Sequence, residues 1–332
     1  MIAFGLTSNA CCSVRFSFRV VPQNEPLGSS DWTGIHVVDG QIASNIAQET
    51  DFPASSLTIY TPESNGEGFV SIWRGMFRDL WQCRALAWRL FIRDLAAAYR
   101  QSFLGYLWVL LPPVVTTAVF VFLRRANIVN IGDTDIPYIA YVMFGMLIWG
   151  IGNGAFNATR GSISAASGLI TKINFPREAL VLASLGNMLF QTSIQTVLVI
   201  GVFVWWGVVP SWTIVFMPIL LFFMLLFTTG LGFVFSMAQA ISDDVGRSVG
   251  LVRNIIMYSA PIVYPAPVSW PYRLLNDYNP VSIYIIAARD LTTGHGLTNP
   301  SGVAIMCLLS VLTFLAGWRV FRICMSVVSE RL

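Results

Sequence analysis

Six long apolar segments, separated by shorter polar intervals, occupy the chain after residue 103. Most of them approach the roughly 20 residues that an α-helix needs to cross a hydrocarbon core of about 30 Å. The pattern predicts membrane-spanning helices at residues 104–123, 136–156, 179–206, 213–236, 249–264 and 303–321. The predicted fold class is therefore an all-α integral membrane protein with six transmembrane helices.

The fifth apolar segment is the shortest, and it ends in the proline-rich string PIVYPAP at 261–267. Proline removes a backbone donor and stops a helix. The stretch that follows, 270–298, mixes Trp, Tyr, Asn and Asp with short apolar runs. We expect a broken helix and then one or two short re-entrant or periplasmic helices before the sixth span. An ordinary outer loop is the alternative, although long loops without structure are uncommon.

Residues 74–102, just before the first apolar segment, repeat apolar and aromatic side chains at spacings of three and four. Arg89, Arg93 and Arg100 fall on a different face of the predicted helix. A helix that is basic on one side and aromatic on the other tends to lie in the membrane interface rather than cross it. We predict an amphipathic interface helix here, with a soluble helix that covers another domain as the alternative.

Residues 1–68 differ from the membrane domain predicted for 69–332. Ser, Thr, Asn, Pro and Gly are frequent, and the acidic residues that follow Arg19 meet no basic residue before Arg74. This composition predicts a polar, acidic tail that is partly disordered.

Composition and charge agree with a membrane protein, since 55% of the residues are hydrophobic, 11% are charged and the net charge is +3. Positively charged loops stay in the cytoplasm. If the amino terminus is cytoplasmic, the outer segments hold only Arg124, Arg125, Arg273 and Arg289. Six crossings would then place both termini in the cytoplasm.

Several function classes lack their usual chemistry in this chain. Lys172, the only lysine, lies between Thr171 and Ile173, so it does not complete a phosphate-binding P-loop. The acidic residues avoid the apolar segments, which disfavours an ion-coupled carrier. The cysteines form no CxxC pair, and no basic groove with aromatics suggests nucleic-acid binding. No catalytic residues and no metal site stand out.

Amides and aromatic side chains supply the polarity inside the apolar segments, as at Asn153, Asn187 and Gln195. Amides in a membrane commonly hold helices together, and this interpretation is favoured for any single residue. The alternative is a pathway lined by amides and aromatics, which suits sugar hydroxyls and the faces of sugar rings.

Short strings recur in one order along the six-segment profile. They are LFIRDL at 90–95, YRQSFLGYLW at 99–108, LITKINFPR at 169–177, SDDVGR at 242–247, PIVYP at 261–265 and YNP at 278–280. Together they resemble the type-2 ABC transporter permeases that export polysaccharides, O-antigens or polyol phosphates. The acidic tail is not part of that family's common core.

The resemblance implies a homodimeric permease that pairs with two copies of a separate ATPase, which would bind ATP and Mg in place of any cofactor on this chain. In that family a coupling helix between the second and third spans docks into the ATPase. The contacts implied here are Lys172, Asn174, Phe175, Pro176, Arg177 and Glu178. The second cytoplasmic loop carries Asp243, Asp244 and Arg247, where an Arg-Asp order is frequent in the family. A polar loop that only sets topology is the alternative.

The resemblance also implies roles in transport. The interface helix would act as a gate, with Arg89, Arg93 and Arg100 facing anionic lipid or the pyrophosphate of a lipid-linked glycan. Tyr106, Trp108, Tyr258 and Tyr264 are the expected pathway aromatics. The expected function is the permease subunit of an ATP-driven exporter of lipid-linked polysaccharide in the bacterial inner membrane. A permease for a drug or lipid, and a membrane-embedded transferase, remain the alternatives.

Overall fold

The computed structural model describes residues 69–100, 105–129, 131–165, 178–267, 269–270, 272–294 and 296–329, and within these ranges the regular structure is entirely helical. The ten α-helices of the described ranges are α1 Phe69–Gln82, α2 Arg84–Tyr99, α3 Leu107–Arg125, α4 Tyr138–Ala165, α5 Glu178–Trp205, α6 Met217–Ile241, α7 Asp243–Ser259, α8 Tyr272–Tyr278, α9 Pro280–Thr293 and α10 Pro300–Ser329. The predicted acidic tail lies outside the described residues.

Five helices among the described residues are long and apolar enough to cross a membrane: α3, α4, α5, α6 with the 3-10 turn Trp212–Phe216 that precedes it, and α10. They correspond to the first, second, third, fourth and sixth predicted spans. α4 has 28 residues, or about 42 Å, and is therefore longer than a hydrocarbon core of about 30 Å requires. Its last turns carry Arg160.

The predicted fifth span corresponds to α7, whose bounds differ from the prediction. α7 begins at Asp243 and ends at Ser259, a length of 17 residues, and it contains Arg247 and Arg253. The helix stops before the prolines, as the proline-rich string predicts, so the predicted span 249–264 is helical only as far as Ser259. Ala260, which precedes Pro261, adopts an extended backbone with ψ 145°. A residue before proline is disfavoured in the helical region. With this short and polar α7, the count of six crossings remains a prediction.

Two short helices, α8 and α9, follow α7, as the sequence predicts for the region between the fifth and sixth spans. The side chain of Asn279 accepts a hydrogen bond from the backbone N–H of Val281 at 3.0 Å, and Pro280 occupies the first turn of α9. Gly294 ends α9 with φ 80°, a conformation that glycine adopts without steric cost. The YNP string is thus a helix start.

The predicted interface helix, 74–102, is divided at Cys83 into α1 and α2. At Cys83 the backbone departs from ideal helix geometry, with ψ −4°. Helical hydrogen bonds still span this point, because the N–H of Cys83 donates to the carbonyl of Asp79 and the N–H of Ala87 donates to the carbonyl of Cys83. The single helix of the prediction is therefore corrected to two. The division allows α1 and α2 to pack on different helices.

The principal apolar core joins α4, α6 and α9. Ile148 of α4, Met224 of α6, and Tyr284 and Ile285 of α9 are all almost fully buried in it. This packing fixes α9 against the membrane helices and places the proline-rich segment after α7 beside the start of α4.

Candidate functional site

The second of the two helices before the first span packs on the beginning of α5. Cys83, Ala87 and Leu90 form a buried cluster with Ala179, Leu180 and Ala183. Close approach also occurs at Gly186, where a Cβ atom would lie 3.2 Å from the ring of Phe91. The start of α5 and α2 therefore share one packed interface.

Glu178, the last member of the predicted coupling set, is the first residue of α5, and only 9% of it is exposed. A carboxylate at a helix amino terminus is stabilised by the helix dipole. Burial, with a smaller contribution from Glu178, raises the pKa of the neighbouring Cys83 thiol to about 11. The remaining members of the predicted coupling set, Lys172, Asn174, Phe175, Pro176 and Arg177, lie outside the described residues.

α1 packs on the last turns of α10. Met76 is fully buried against Trp318 and Phe321. An ion pair joins the same helices, because Arg322 donates to Asp79 at 2.6 Å with both side chains partly shielded. The two halves of the predicted interface helix are thus anchored to α10 and α5, and the sequence did not identify the Asp79–Arg322 pair.

The predicted gate arginines are exposed, with Arg89 and Arg93 on α2 and Arg100 directly after its last residue. Arg89 and Arg100 are exposed and make no ion pair within the described ranges. Arg93 is also exposed but donates two hydrogen bonds to the adjacent Asp94, at 2.8 and 2.9 Å. Two guanidinium groups of this set are therefore open to an anionic group, and the third already has a carboxylate beside it.

The two predicted cytoplasmic loop regions meet at Arg160, a residue that sequence reasoning did not select. Its guanidinium donates to the side chain of Asn157 at 3.2 Å and to the carbonyl of Gly246 at 3.4 Å. Gly246 lies within the SDDVGR string at the start of α7. Beside it, Asp244 and Arg247 form an exposed ion pair at 3.3 Å, and only the backbone of Asp243 is described.

The proline-rich segment after α7 is held by side chains that bond to its backbone. Tyr138 donates to the carbonyl of Val263 at 2.9 Å, and Tyr141 donates to that of Tyr264 at 3.0 Å. Arg289 of α9 donates to the carbonyls of Pro261 and Ile262. Four consecutive carbonyls, 261–264, are thus paired by three side chains from α4 and α9.

The guanidinium of Arg289 is held by an aromatic ring as well as by the carbonyls. It lies 3.5 Å from the ring centroid of Tyr141 and bonds to the hydroxyl of that residue at 2.6 Å. Gly145 leaves room for this contact, since a Cβ atom there would lie 2.7 Å from a guanidinium nitrogen. Burial lowers the pKa of Arg289 to about 10, so the side chain keeps its charge at neutral pH.

Arg289 is the clearest case of a buried, hydrogen-bonded residue whose contacts the sequence did not predict. It was predicted only as one of four basic residues on the outer side. Its signal is an arginine, followed directly by Asp290, at the end of the apolar run from Ile283 to Ala288. A charge in such a run must find partners within the protein.

The four predicted pathway aromatics have different surroundings. Tyr106 packs edge-on against Phe190 of α5 with ring centroids 5.6 Å apart, and Trp108 is exposed. Tyr258 is 68% exposed. The hydroxyl of Tyr264 donates to the carbonyls of Tyr258 and Ser259, and thereby caps the end of α7. These contacts bring Tyr258 and Tyr264 together and place Tyr106 at the α3–α5 contact.

One membrane amide holds two helices together. α3 contains Pro112 and Pro113, and Pro113 has no N–H to donate to the carbonyl of Val109. The side chain of Gln195 in α5 supplies that hydrogen bond at 3.1 Å. At this position the structure confirms the helix-linking interpretation of the amides.

Comparison with known proteins gives consistent matches. Residues 82–292 match the family described as ABC-2 type transporter. One relative is the O-antigen export system permease protein RfbA of Myxococcus xanthus, which is 31% identical over 199 residues, or 56% of this chain and 70% of the relative. A protein of the same name from Klebsiella pneumoniae is 26% identical over 236 residues, or 69% of this chain and 88% of the relative.

Proposed function

The chain belongs to the ABC-2 type transporter permeases of the O-antigen export family, and we propose that it is the membrane subunit of an ATP-driven exporter of lipid-linked polysaccharide. A role as a polysaccharide exporter permease rests on the 31% identity to a named O-antigen export permease over 70% of its length. The ATP dependence and the lipid-linked cargo are the steps that we add.

The protein is a multi-pass membrane protein with at least the five apolar helices described above. We place α7 as a sixth crossing, and both termini in the cytoplasm of a bacterial cell. In this arrangement α1 and α2 lie in the interface on the cytoplasmic side of the membrane, and α8 and α9 lie on the opposite, outer side. The excess of arginine in the inner segments supports this orientation.

Two permease copies and two ATPase subunits form the proposed exporter, with ATP and Mg bound by the ATPases. The segment between α4 and α5 contacts the ATPase through Lys172, Asn174, Phe175, Pro176 and Arg177, with Glu178 as a close support at the start of α5. The Asp243, Asp244 and Arg247 region supports this contact. Movement of this segment reaches Glu178 first. Because Ala179 and Leu180 pack on Leu90 and Ala87, it then moves α2.

The cargo enters beside α2 in this proposal. Arg89 and Arg100 are free of ion pairs among the described residues and offer planar donors that match phosphate oxygens. The guanidinium of Arg93 would release the carboxylate of Asp94 and bind the pyrophosphate instead. Exposed aromatic faces at Tyr106, Trp108 and Tyr258 would contact sugar rings, whereas Tyr264 would keep α7 in place through its hydroxyl.

The proposal is tested by reconstitution of the chain in lipid nanodiscs with the ATPase encoded beside its gene. We expect the two proteins to co-elute and a lipid-linked glycan to stimulate ATP hydrolysis. Arg177→Glu should abolish co-elution, while Arg273→Glu, an equal charge change on the exposed surface of α8, should preserve it. Stimulation by a drug or free lipid but not by glycan would favour the other permease class. Enzymatic turnover without the ATPase would favour the transferase.

A further inference from the structure

The outer end of α7 is fixed by many hydrogen bonds. Arg289, Tyr138 and Tyr141 together occupy the carbonyls of residues 261–264. The hydroxyl of Tyr264 donates a hydrogen bond to the last carbonyls of α7, and the side chain of Asn279 donates to the hydroxyl of Ser259 at 3.1 Å. Each lost donor would leave a shielded carbonyl unpaired, which is unfavourable, so this end of the helix resists displacement.

Among the described side chains, the polar contacts at the inner end of α7 are few and weak. The Asp244–Arg247 ion pair lies within α7 itself, and both side chains are more than 80% exposed. Exposed ion pairs contribute little to stability. The link to α4 is the 3.4 Å hydrogen bond from Arg160 to Gly246, near the limit of hydrogen-bond length. By its described hydrogen bonds and ion pairs, this end of α7 is therefore held more weakly than the outer end.

We infer that Arg289 is a positioning residue that makes residues 261–264 the fixed pivot of α7, so that the helix swings at its cytoplasmic end during the transport cycle. The inference rests on the proposed function for its role in export. Arg289 suits the task because one planar guanidinium satisfies two adjacent carbonyls and stacks on Tyr141, whereas a lysine ammonium cannot present two donors in one plane. α4 and α9 supply the rigid base.

Hydrogen exchange in the reconstituted complex tests the pivot directly. In the wild-type protein, ATP with vanadate should change exchange at residues 244–250 and leave the amides of Ile262, Val263 and Tyr264 unchanged. Arg289→Gln should raise exchange at those three amides at least about tenfold, while the amides of 284–288 in α9 stay protected. Arg289→Lys should give an intermediate increase. Arg273→Gln removes an exposed arginine from the same outer region and should leave exchange unchanged both at residues 262–264 and at residues 284–288.

If Arg289→Gln does not fold, Tyr138→Phe provides the milder variant, because it removes only the hydrogen bond to Val263. Faster amide exchange at Val263 and its neighbours, with the amides of α9 still protected, supports the pivot. Wild-type exchange at residues 262–264 in a folded Arg289→Gln protein overturns it. So does an ATP-dependent change that is as large at 262–264 as at 244–250.

A second measurement separates positioning from simple loss of structure. For Arg289→Gln, we expect ATP hydrolysis to continue while the glycan exported per ATP falls about tenfold, with partial recovery in Arg289→Lys. An unchanged ratio overturns the inference. If the wild-type complex moves no glycan at all, the proposed function fails, and the exchange comparison still decides whether Arg289 fixes α7.

Discussion

Two facing glycines set the distance between α6 and α10. A Cβ atom at Gly317 would overlap the carbonyl oxygen of Gly230, and one at Gly230 would lie 2.6 Å from the backbone of Thr313 and Phe314. Small residues allow membrane helices to approach closely. Gly317→Ala should therefore separate the helices and lower the unfolding free energy by about 1–3 kcal/mol, measured as thermal unfolding in detergent.

Gly201 provides the matched control for this substitution. It lies in α5, and a Cβ atom there would meet nothing within 4 Å. Gly201→Ala should leave stability unchanged or raise it slightly, since alanine is the better helix former. Equal effects at both positions would show that the close contact between α6 and α10 does not limit stability.

Cys83 should react slowly with alkylating reagents in the native protein. Its thiol is 3% exposed, and burial raises its pKa from 9.0 to about 11. Only the thiolate reacts, so this rise in pKa lowers the fraction of Cys83 present as thiolate at pH 8 about 100-fold. In a chain whose other cysteines are replaced by alanine, maleimide labelling should be at least that much slower than in denaturant. It should accelerate as the pH rises towards 11, and equal rates at pH 8 would contradict the burial.

Patterns at the residue scale predicted where a helix is interrupted better than they predicted which residues contact each other. The prolines of the 261–265 string were recognised from the sequence, because proline affects the helix that contains it. Arg289, which pairs the carbonyls of that string, lies 27 residues further along the chain from Ile262, and no local pattern connects the two. The pairing depends on the packing of α4, α7 and α9, which is a tertiary property.

At the scale of helices, the docking of α1 on α10 depends on both shape and charge. The Asp79–Arg322 pair is partly shielded, with side chains 16% and 31% exposed. Asp79→Asn should lower stability by about 1–2 kcal/mol, because Arg322 loses its charged partner in a poorly solvated position. The exchanged pair, Asp79→Arg with Arg322→Asp, should recover most of the loss in thermal unfolding.

Asp94→Asn is the control for the docking of α1. Its partner Arg93 is 56% exposed, and an exposed pair contributes under about 0.5 kcal/mol. If Asp79→Asn changed stability no more than Asp94→Asn, or if the exchanged pair gave no recovery, the contact would not hold α1 in place.

Helices that consist of one long apolar run were predicted well, whereas the division and the ends of the more polar helices were predicted less well. α3, α4, α5, α6 and α10 were predicted because a long apolar run is itself the signal. The division at Cys83 was missed, since α1 and α2 read as one periodic segment and separate only because they pack on α10 and α5. The end of α7 was predictable in principle, because a residue before proline avoids the helical region.

At the scale of the whole molecule, α7 decides the topology. Five crossings alone would place the two termini on opposite sides of the membrane, whereas a sixth crossing would return the carboxyl terminus to the side of the amino terminus. α7 is short and carries two arginines, yet its exposed face includes Leu251, Ile255 and Tyr258. An apolar face of this kind favours contact with lipid or with a second permease copy over contact with water.

Reporter fusions should therefore show that α7 crosses the membrane. With a cytoplasmic amino terminus, fusions of alkaline phosphatase, which is active only outside the cytoplasm, should be active after Pro210 and after Thr298 and inactive after Leu332. If α7 remained on the cytoplasmic side, the fusion after Pro210 would still be active. However, the fusion after Thr298 would be inactive and the fusion after Leu332 active. The Pro210 fusion thus controls for orientation. The fusions after Thr298 and after Leu332 must show opposite activities in either topology. Activity after Thr298 with none after Leu332 would place the Arg289 anchor at the outer face, where the pivot of α7 requires it.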